Sequence, residues 1–364
     1  MTSLPPAPER DVALATDPAA LPPEGGGTPS RRAIWQWALM AFGFALLAAL
    51  VYQAGPRRLT DHLRALGWWA PVIFLPYAFS SLFDAAGWRT TFGHARPGLG
   101  LLYVVRLIGD SVNNVTPTAY LGGEPVKAYV LQRFGIPLAD GMTSVILAKS
   151  ALTIAQIAFV ILGVALLFLQ RGVTWATISL LLAFLAAGTA VTLLLVRWQR
   201  RGLVGSIAGG IGRFFPRASM AARLRARADE IDGKLRAFYE ARSGAAVTSV
   251  ALHLIGWIAG AAEVYAIMTL IDHPVGCLAA VVIDALAQPT RLLGILVPAA
   301  LGVQEAGGML IFGLLGLPPD LGLTLMLLKR VREMGFNALG LALLARLGAG
   351  TVRPLAVAAA QPSA

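Results

Sequence analysis

Ionisable side chains occur inside segments of this sequence that are otherwise apolar. They are Asp84, Asp110, Glu124, Lys149, Glu263, Asp284, Arg291 and Glu305, followed by Lys329, Arg330, Arg332 and Glu333 within an apolar run from about Leu321 to Leu344. A charged group at the centre of a lipid bilayer costs at least about 2.5–3.5 kcal/mol on insertion scales, so such groups usually face one another or a polar cavity. The pattern predicts a polar site inside a bundle of helices.

Part of this cost can be offset within the last apolar run. Lys329 precedes Glu333 by four residues and Arg330 precedes it by three, the spacings at which side chains meet on a helix. For Glu333 with Lys329, a structural ion pair and a functional role are equally good interpretations. For Glu124, Glu305, Lys149 and Arg332, a functional role is favoured, because charges and interrupted helices converge in the same segments.

A Pro-to-Glu motif occurs twice in the sequence. Pro117 precedes Glu124 by the same distance as Pro298 precedes Glu305, and a Leu-Gly pair lies between them in both copies, ending at Gly122 or Gly302. Proline and glycine interrupt helices and leave backbone N–H and C=O groups exposed. A chance match in a glycine-rich protein is the alternative. Further candidates for lining a substrate cavity around the first copy are Asp110, Asn113, Asn114, Gly123 and Lys127.

The composition determines which elements position these residues. Of 364 residues, 57% are hydrophobic and 13% are charged, against about a quarter charged in soluble domains. The apolar runs approach 20 residues, the length that crosses a hydrocarbon layer of about 30 Å. The sequence predicts an all-α polytopic membrane protein with six long helices, near 34–53, 70–92, 139–170, 174–196, 244–271 and 319–347.

Two further apolar segments, 101–134 and 277–317, contain too many Pro, Gly and polar residues for simple spans. Irregular backbone at membrane depth is tolerated only where protein or a wet cavity surrounds it. We therefore expect two re-entrant helix pairs that enter from opposite sides. This arrangement is typical of an inverted-repeat transporter with a site near the midplane.

The charge distribution predicts the orientation. The net charge is +11, and eleven Lys and Arg stand against four acidic residues between Arg197 and Arg242. This concentration marks a cytoplasmic face and, without a nucleic-acid motif, favours anionic lipid headgroups over nucleic acid as the partner. We expect a protein of the cytoplasmic (inner) membrane with both termini inside, although Arg57, Arg58 and Arg64 would then face outward.

The expected organisation is a disordered arm at 1–33, a membrane domain at 34–347 and a flexible tail at 348–364. The loop at 197–243 contains a helical pattern at 219–241, interpreted equally well as an amphipathic helix on the membrane or as a solvated connector. Cys277 is the only cysteine and the four histidines are scattered, so no metal, cofactor or catalytic group is predicted. His253 is expected to be a packed, hydrogen-bonded side chain.

The motif residues resemble a known family. Asn114-Val-Thr-Pro117, Gly123-Glu124-Pro-Val-Lys127 and the following Leu131 with Arg133 resemble the N-x-x-P…G-E-x-x-R/K…L signature of the flippase-like family. This family comprises the transmembrane domain of lysylphosphatidylglycerol synthases and its stand-alone relatives. The run from Pro298 to Glu305 is similar to its second motif, P-x-G-G-x-G-x-x-E, and Arg330 or Arg332 matches a later Arg. The resemblance covers roughly 34–347. Ala119 or Tyr120 replaces a frequent Arg, and Ala299-Ala300 replace a glycine pair.

The resemblance implies lipid translocation without the aminoacyl transfer that belongs to a separate soluble domain. Lys149, Arg291 and Arg332 would attract a phosphate, while Glu124 and Glu305 would bind these cations, a cationic headgroup or a proton. No Walker A sequence occurs, so ATP hydrolysis by this chain is not expected. The alternatives are a membrane-embedded lipid-modifying transferase and a non-catalytic partner of lipid-modifying enzymes in hopanoid, glycolipid or aminoacyl-phospholipid pathways.

Overall fold

The computed structural model describes residues 45, 48–49, 51–53, 56–93, 97–116, 122–171, 175–212, 218–293 and 300–348. Within these ranges the chain is helical and contains no β-strand. The predicted arm at 1–33, nearly all of the predicted helix at 34–53 and the tail after Gly348 lie outside the described residues. Pro117 and Pro298 lie outside them as well.

The helices follow one another with short connections. In chain order they are α1 (Pro56–Leu66), a 3-10 helix (Gly67–Ile73), α2 (Phe74–Thr90), α3 (Leu99–Val115), α4 (Gly123–Arg133), α5 (Leu138–Arg171), α6 (Trp175–Arg201), α7 (Leu203–Gly212), α8 (Ala218–Ala241), α9 (Ser243–Leu270), α10 (Cys277–Leu293), α11 (Val303–Leu314) and α12 (Pro319–Gly348). Five of the predicted long helices correspond to α2, α5, α6, α9 and α12, because long apolar runs without Pro or Gly clusters favour uninterrupted helix.

Three helical stretches of the described chain are long and apolar enough to cross a membrane, judged by length and composition. They are Thr60–Thr90, Leu138–Leu169 and Ser243–Leu270. The first joins α1, the 3-10 helix and α2. These stretches identify an all-α membrane protein, while the count of six spans stays a prediction.

Each of the two interrupted segments forms a pair of helices that pack against each other. The segment 101–134 contains α3 and α4, and the segment 277–317 contains α10 and α11. Before α11, Ala300 and Gly302 have positive φ angles of 49° and 76°. Glycine adopts this conformation more readily than alanine, so the replacement of a glycine by Ala300 places a side chain at a strained turn.

The α4–α5 and α11–α12 hairpins have the same turn, displaced by 181 residues. Gly135 and Gly316 end the first helix of each hairpin with φ angles of 83° and 66°. In both turns the amide of the next residue donates to the helix carbonyl five residues earlier, the pattern of a glycine-terminated helix. Pro137 and Pro318 then directly precede the second helix.

The equivalence extends into α5 and α12. A Cβ atom on Gly141 would lie 3.3 Å from Cα of Ala128, and one on Gly322 would lie 3.0 Å from the amide nitrogen of Met309. Both contacts join residues displaced by the same 181 positions. The helices of each hairpin therefore approach closely at the same level, which supports an internal repeat.

Two clusters of buried apolar side chains are the largest in the described chain. One packs around Leu102, Ile108 and Leu131, with contacts from the end of α12. The other packs around Ile283 and Phe312 and includes Leu66 and Ile73 from the first half of the chain. Burial of such side chains contributes about 1.5–3 kcal/mol each relative to exposure, with a bilayer interior reducing the difference. Both clusters therefore hold helices of the two halves together.

Helix α8 packs its apolar face against the protein, while the position of 219–241 relative to the membrane surface stays a prediction. Ile231, Leu235 and Phe238 are buried against Leu147 and its neighbours at the start of α5. Asp232 accepts hydrogen bonds from two amides at the start of α7. The apolar face that the sequence shows is thus used to hold the basic segment against the bundle.

The approach of α4 to α3 predicts a sensitive position. A Cβ on Gly123 would lie 1.9 Å from the carbonyl oxygen of Gly109, so Gly123→Ala forces α3 and α4 apart. We expect the detergent-solubilised variant to unfold at a markedly lower temperature or to be lost on size-exclusion chromatography. Gly233→Ala is the matched control, because a Cβ there meets nothing within 4 Å and alanine favours helix by roughly 0.5–1 kcal/mol. Equal behaviour of the two variants would contradict this packing.

Candidate polar site of the helix bundle

A first network of charges joins α2, α3, α4 and α5. Arg106 Nη2 lies 2.7 Å from Asp84 Oδ2 and 3.4 Å from Asp110 Oδ2. Lys127 Nζ lies 2.9 Å from Asp110 Oδ1 and 3.3 Å from Glu124 Oε2. These contacts tie α2, α3 and α4 together by alternating positive and negative groups, and Lys149 adds α5.

The two ends of this network differ. At one end, His253 Nδ1 on α9 donates a hydrogen bond of 2.7 Å to Asp84 Oδ1, which confirms the predicted packed histidine. At the other end, Lys149 Nζ lies 3.2 Å from Glu124 Oε1. The Lys149 side chain is 40% exposed, whereas Asp84 and His253 are buried. The network therefore runs from the interior of the bundle to an accessible cation.

A second network joins α9, α10, α11 and α12. Arg332 donates from Nε and Nη2 to the two oxygens of Glu263, over 2.8 and 3.0 Å. Lys329 binds Asp284 and lies 3.9 Å from Glu263. A Tyr77 ring from α2 packs 4.0 Å from the Arg332 guanidinium, a favourable cation–π contact.

The accessible end of the second network is formed by Arg291. Its Nη2 lies 3.0 Å from Glu333 Oε1, and its side chain is 37% exposed. Arg330 binds Glu305 through Nε and Nη2, both at 2.7 Å from Oε1. Each network thus has one half-exposed cation at its edge.

Every carboxylate of the two networks contacts a cation. The first network contains Arg106, Lys127 and Lys149 with Asp84, Asp110 and Glu124, and the second contains Arg291, Lys329, Arg330 and Arg332 with Glu263, Asp284, Glu305 and Glu333. Positive and negative groups are equal in number in each. A buried charge without a partner costs several kcal/mol, so this balance is what allows the helices to carry the charges.

The repeat brings two equivalent acid–base pairs into the site. Glu124 lies in the first turn of α4 and Glu305 in the first turn of α11. The partners Lys149 and Arg330 are displaced from each other by the same 181 residues as the acids. A carboxylate at a helix N-terminus is stabilised by the partial positive charge of the exposed amides. Both acids therefore occupy the position that an interrupted helix provides.

The two pairs differ in their surroundings. Asn113 Nδ2 donates to Glu124 Oε1 over 3.3 Å, and Asn113 Oδ1 accepts a 2.7 Å bond from the Gly123 amide. Glu305 is fully buried, and its Oε2 atom has no hydrogen-bond partner within the described part of the chain. The first pair is thus embedded in a polar network, while the second leaves one carboxylate oxygen unsatisfied.

The structure corrects the expected pairing within α12. Lys329 and Arg330 contact Asp284 and Glu305 on other helices, and the Glu333 contact at 3.0 Å comes from Arg291. Charged side chains that are neighbours on one helix interact weakly. Acids on facing helices instead form ion pairs with the α12 cations, and both charges of each pair are buried together. The free-energy cost of placing the α12 charges in an apolar bundle is therefore offset by ion pairs with other helices. Arg332 is 2% exposed and is occupied by Glu263, so it is not available to a phosphate in this conformation.

Most of the predicted site residues meet in these networks. The first gathers Asp110, Asn113, Gly123, Glu124, Lys127 and Lys149, and the second gathers Arg291, Glu305, Arg330 and Arg332, with Gly302 directly before α11. Asn114 lies apart from the networks and donates to Asn337 Oδ1 over 3.0 Å.

Arg106 is the main residue that sequence reasoning missed. It binds two acids of the first network, and it lies four residues before Asp110 in an otherwise apolar helix. That spacing was the available signal. Tyr77 was not predicted either, because an aromatic residue in an apolar helix carries no sign of a cationic neighbour.

Comparisons with known proteins identify the family of the chain. The family model described as the lysylphosphatidylglycerol synthase TM region matches residues 36–340. The chain belongs to this family. The match contains all residues of both networks, from Tyr77 to Glu333. The family assignment made from the two motifs is therefore confirmed.

A curated relative is similar over most of both chains. The UPF0104 membrane protein of Methanothermobacter thermautotrophicus is 24% identical over 333 residues, covering 87% of this chain and 97% of that protein. No solved structure matches the chain significantly. Membership of the lysylphosphatidylglycerol synthase transmembrane family indicates a membrane location and a role related to membrane lipids.

Removing one acid from the second network tests its energetic importance. Glu263→Gln leaves Arg332 and Lys329 without a carboxylate that both contact, and breaking a buried pair costs about 3–5 kcal/mol. We expect a large fall in the unfolding temperature in detergent. Asp61→Asn is the control, since Asp61 and Arg64 form an exposed pair at 3.9 Å and such pairs contribute about 0–1 kcal/mol. A Glu263→Gln effect as small as the control would contradict a stabilising network.

Proposed function

We propose that this chain moves the polar headgroup of a membrane lipid between the two leaflets. The observation that carries the proposal is a pair of charge networks at two interrupted helices of an apolar bundle, each containing one of two equivalent Glu–cation pairs, Glu124 with Lys149 and Glu305 with Arg330. Charges at such depth generally line the path of a substrate or ion. Two equivalent half-sites support an alternating mechanism of the kind that internal repeats provide.

The accessible cations suggest where a headgroup first binds. Lys149 and Arg291 are each partly exposed and each contact a carboxylate. A lipid phosphate that approaches Lys149 competes with Glu124 for this cation. The positively charged part of the headgroup then binds the released carboxylate of Glu124. Exchange of one ion pair for another keeps the charges balanced, so the headgroup passes without an unpaired charge in the apolar layer.

The same features bear on the alternatives. Every network carboxylate contacts a cation, an arrangement suited to exchanging charged headgroups, and we propose no catalytic step. A lipid-modifying transferase and a non-catalytic partner of such an enzyme are the competing functions. We propose the cytoplasmic membrane as the location with both termini inside, in accord with the basic segment at 197–243. The energy source would be an ion gradient, a partner or the lipid gradient itself.

Reconstituted vesicles test transport directly. Purified protein should accelerate the movement of a fluorescent lipid between leaflets, measured by the fraction that a membrane-impermeant quencher can reach. Glu124→Gln and Glu305→Gln should each slow this movement about tenfold or more, equivalent to roughly 1.4 kcal/mol of lost stabilisation in the rate-limiting state. Glu240→Gln is the control, because Glu240 is exposed on α8 and belongs to neither network.

Three outcomes would count against the proposal. Movement no faster than in protein-free vesicles, across anionic, zwitterionic and cationic lipids, would contradict transport by the chain alone. Formation of a modified lipid by the purified protein would favour the transferase. A stoichiometric enzyme that co-purifies and is required for lipid modification would favour the partner role. Thermal unfolding of each variant separates loss of transport from loss of fold.

A further inference from the structure

A cavity away from both networks is lined by two arginines. It has a volume of about 310 Å³ and lies between the end of α2 and the start of α9. Arg89, Thr90, Arg242 and Thr248 supply its polar side chains. Both hydroxyls donate to backbone carbonyls, Thr90 to Gly87 and Thr248 to Gly244, which leaves the two guanidinium groups as donors of the kind that proteins use for phosphate.

The two arginines are positioned without being neutralised. Arg89 Nε donates to the Pro97 carbonyl over 3.1 Å. Arg242 Nη1 donates to the carbonyls of Phe92 and Gly93 over 2.6 and 3.1 Å. A guanidinium has five N–H donors, so most remain available at each residue. Among the described residues, neither arginine contacts a carboxylate, in contrast to every cation of the two networks.

The start of α9 adds to the positive potential of this cavity. Arg242 precedes the first residue of α9, and no side chain caps the helix there. The exposed amides of a helix start carry a partial positive charge. The cavity therefore faces two full charges and a helix dipole of the same sign, which favours an anion.

An apolar groove continues from this cavity along the same helices. Its volume is about 900 Å³, and Leu99 lines both the groove and the cavity. On α2 the lining passes from Leu75, Phe79 and Leu82 in the groove to Arg89 in the cavity, at the spacing of one helix face. The whole feature is therefore polar at one end and apolar along the rest.

The length of this feature matches a lipid. From Leu75 to Arg89 the helix rises about 21 Å at 1.5 Å per residue. One leaflet contributes about half of a hydrocarbon layer of roughly 30 Å, with the headgroup region beyond it. A phosphate at Arg89 would thus place an acyl chain along the groove, and a free phosphate ion would leave the groove unused.

We propose that this feature is a binding site for one anionic phospholipid. The phosphate binds Arg89 and Arg242, and an acyl chain lies in the groove between α2, α3 and α9. The site shares no residue with the two networks and does not rest on the proposed translocation. Arg242 ends the basic segment assigned to the cytoplasmic side, so the site would take its lipid from that leaflet.

Lipid binding to the full-length chain in detergent tests the headgroup end. Native mass spectrometry titrations should compare phosphatidylglycerol with phosphatidylcholine of the same acyl chains. The double variant Arg89→Gln/Arg242→Gln should bind phosphatidylglycerol at least about tenfold more weakly, a change of roughly 1.4 kcal/mol. Phosphatidylcholine binding should weaken less, because its choline cation already opposes the attraction of its phosphate to the arginines. The control Arg223→Gln/Arg227→Gln removes the same charge from exposed positions on α8. Equal weakening by both double variants would overturn the proposal.

A second pair of variants tests the groove and identifies the ligand source. Ala262→Trp fills the groove, whereas Ala251→Trp changes an exposed alanine of α9 that does not line it. Only Ala262→Trp should weaken phosphatidylglycerol binding, and millimolar inorganic phosphate should not displace the lipid. Full displacement by phosphate together with an inert Ala262→Trp would show a phosphate-ion site and overturn the lipid assignment. The comparison of Ala262→Trp with Ala251→Trp also tests the lipid site if the double arginine variant fails to fold. None of these binding measurements depends on lipid transport.

Discussion

The bundle depends on the cost of placing ions in an apolar layer. A carboxylate or guanidinium removed from water is tolerated only when an opposite charge lies against it, and this structure satisfies that condition at each network carboxylate. The bidentate contact of Arg332 with Glu263 at 2.8 and 3.0 Å is the most enclosed example. Because such contacts join different helices, the requirement for neutrality also determines which helices must be neighbours.

The 181-residue displacement relates one Glu–cation pair in each network. Gly135 and Gly316 end equivalent helices, and Glu124 and Glu305 begin the helices that precede these turns. An interrupted helix provides both a place for an acid and the room for a close helix contact. The halves are not copies in detail, because Asn113 supports Glu124 while Glu305 leaves an oxygen unsatisfied. The two equivalent acids therefore lie in different polar surroundings.

The arginine cavity follows a different rule from the networks. Arg89 and Arg242 are held by backbone carbonyls, which orient a guanidinium and leave its charge uncompensated. Outside the networks, a charge can remain unpaired where water or a lipid phosphate reaches it. The contrast separates charges that the protein neutralises for its own stability from charges that it presents to a ligand.

The sequence by itself determined the class of the protein, most helix bounds and the identity of the interrupted segments. Apolar runs, Pro and Gly affect the conformation of neighbouring residues only. Their effect on helix formation can therefore be predicted without knowledge of the fold. The motifs also identified the family, and Glu124 with Lys127 and Glu305 with Arg330 were named as candidates. These features follow from local physics and from the pattern of two short segments.

The tertiary structure alone decided which charge contacts which. Sequence spacing favoured Lys329 with Glu333, yet Lys329 binds Asp284 on α10 and Glu333 binds Arg291. The four-residue spacing of Arg106 and Asp110 likewise did not show that Arg106 also binds Asp84 on α2. Ion pairs between helices depend on how each helix is rotated and how closely two helices approach. Contacts between glycines and residues far away in the sequence determine both. For the same reason the arginine cavity and its groove became visible only when α2 and α9 were placed side by side.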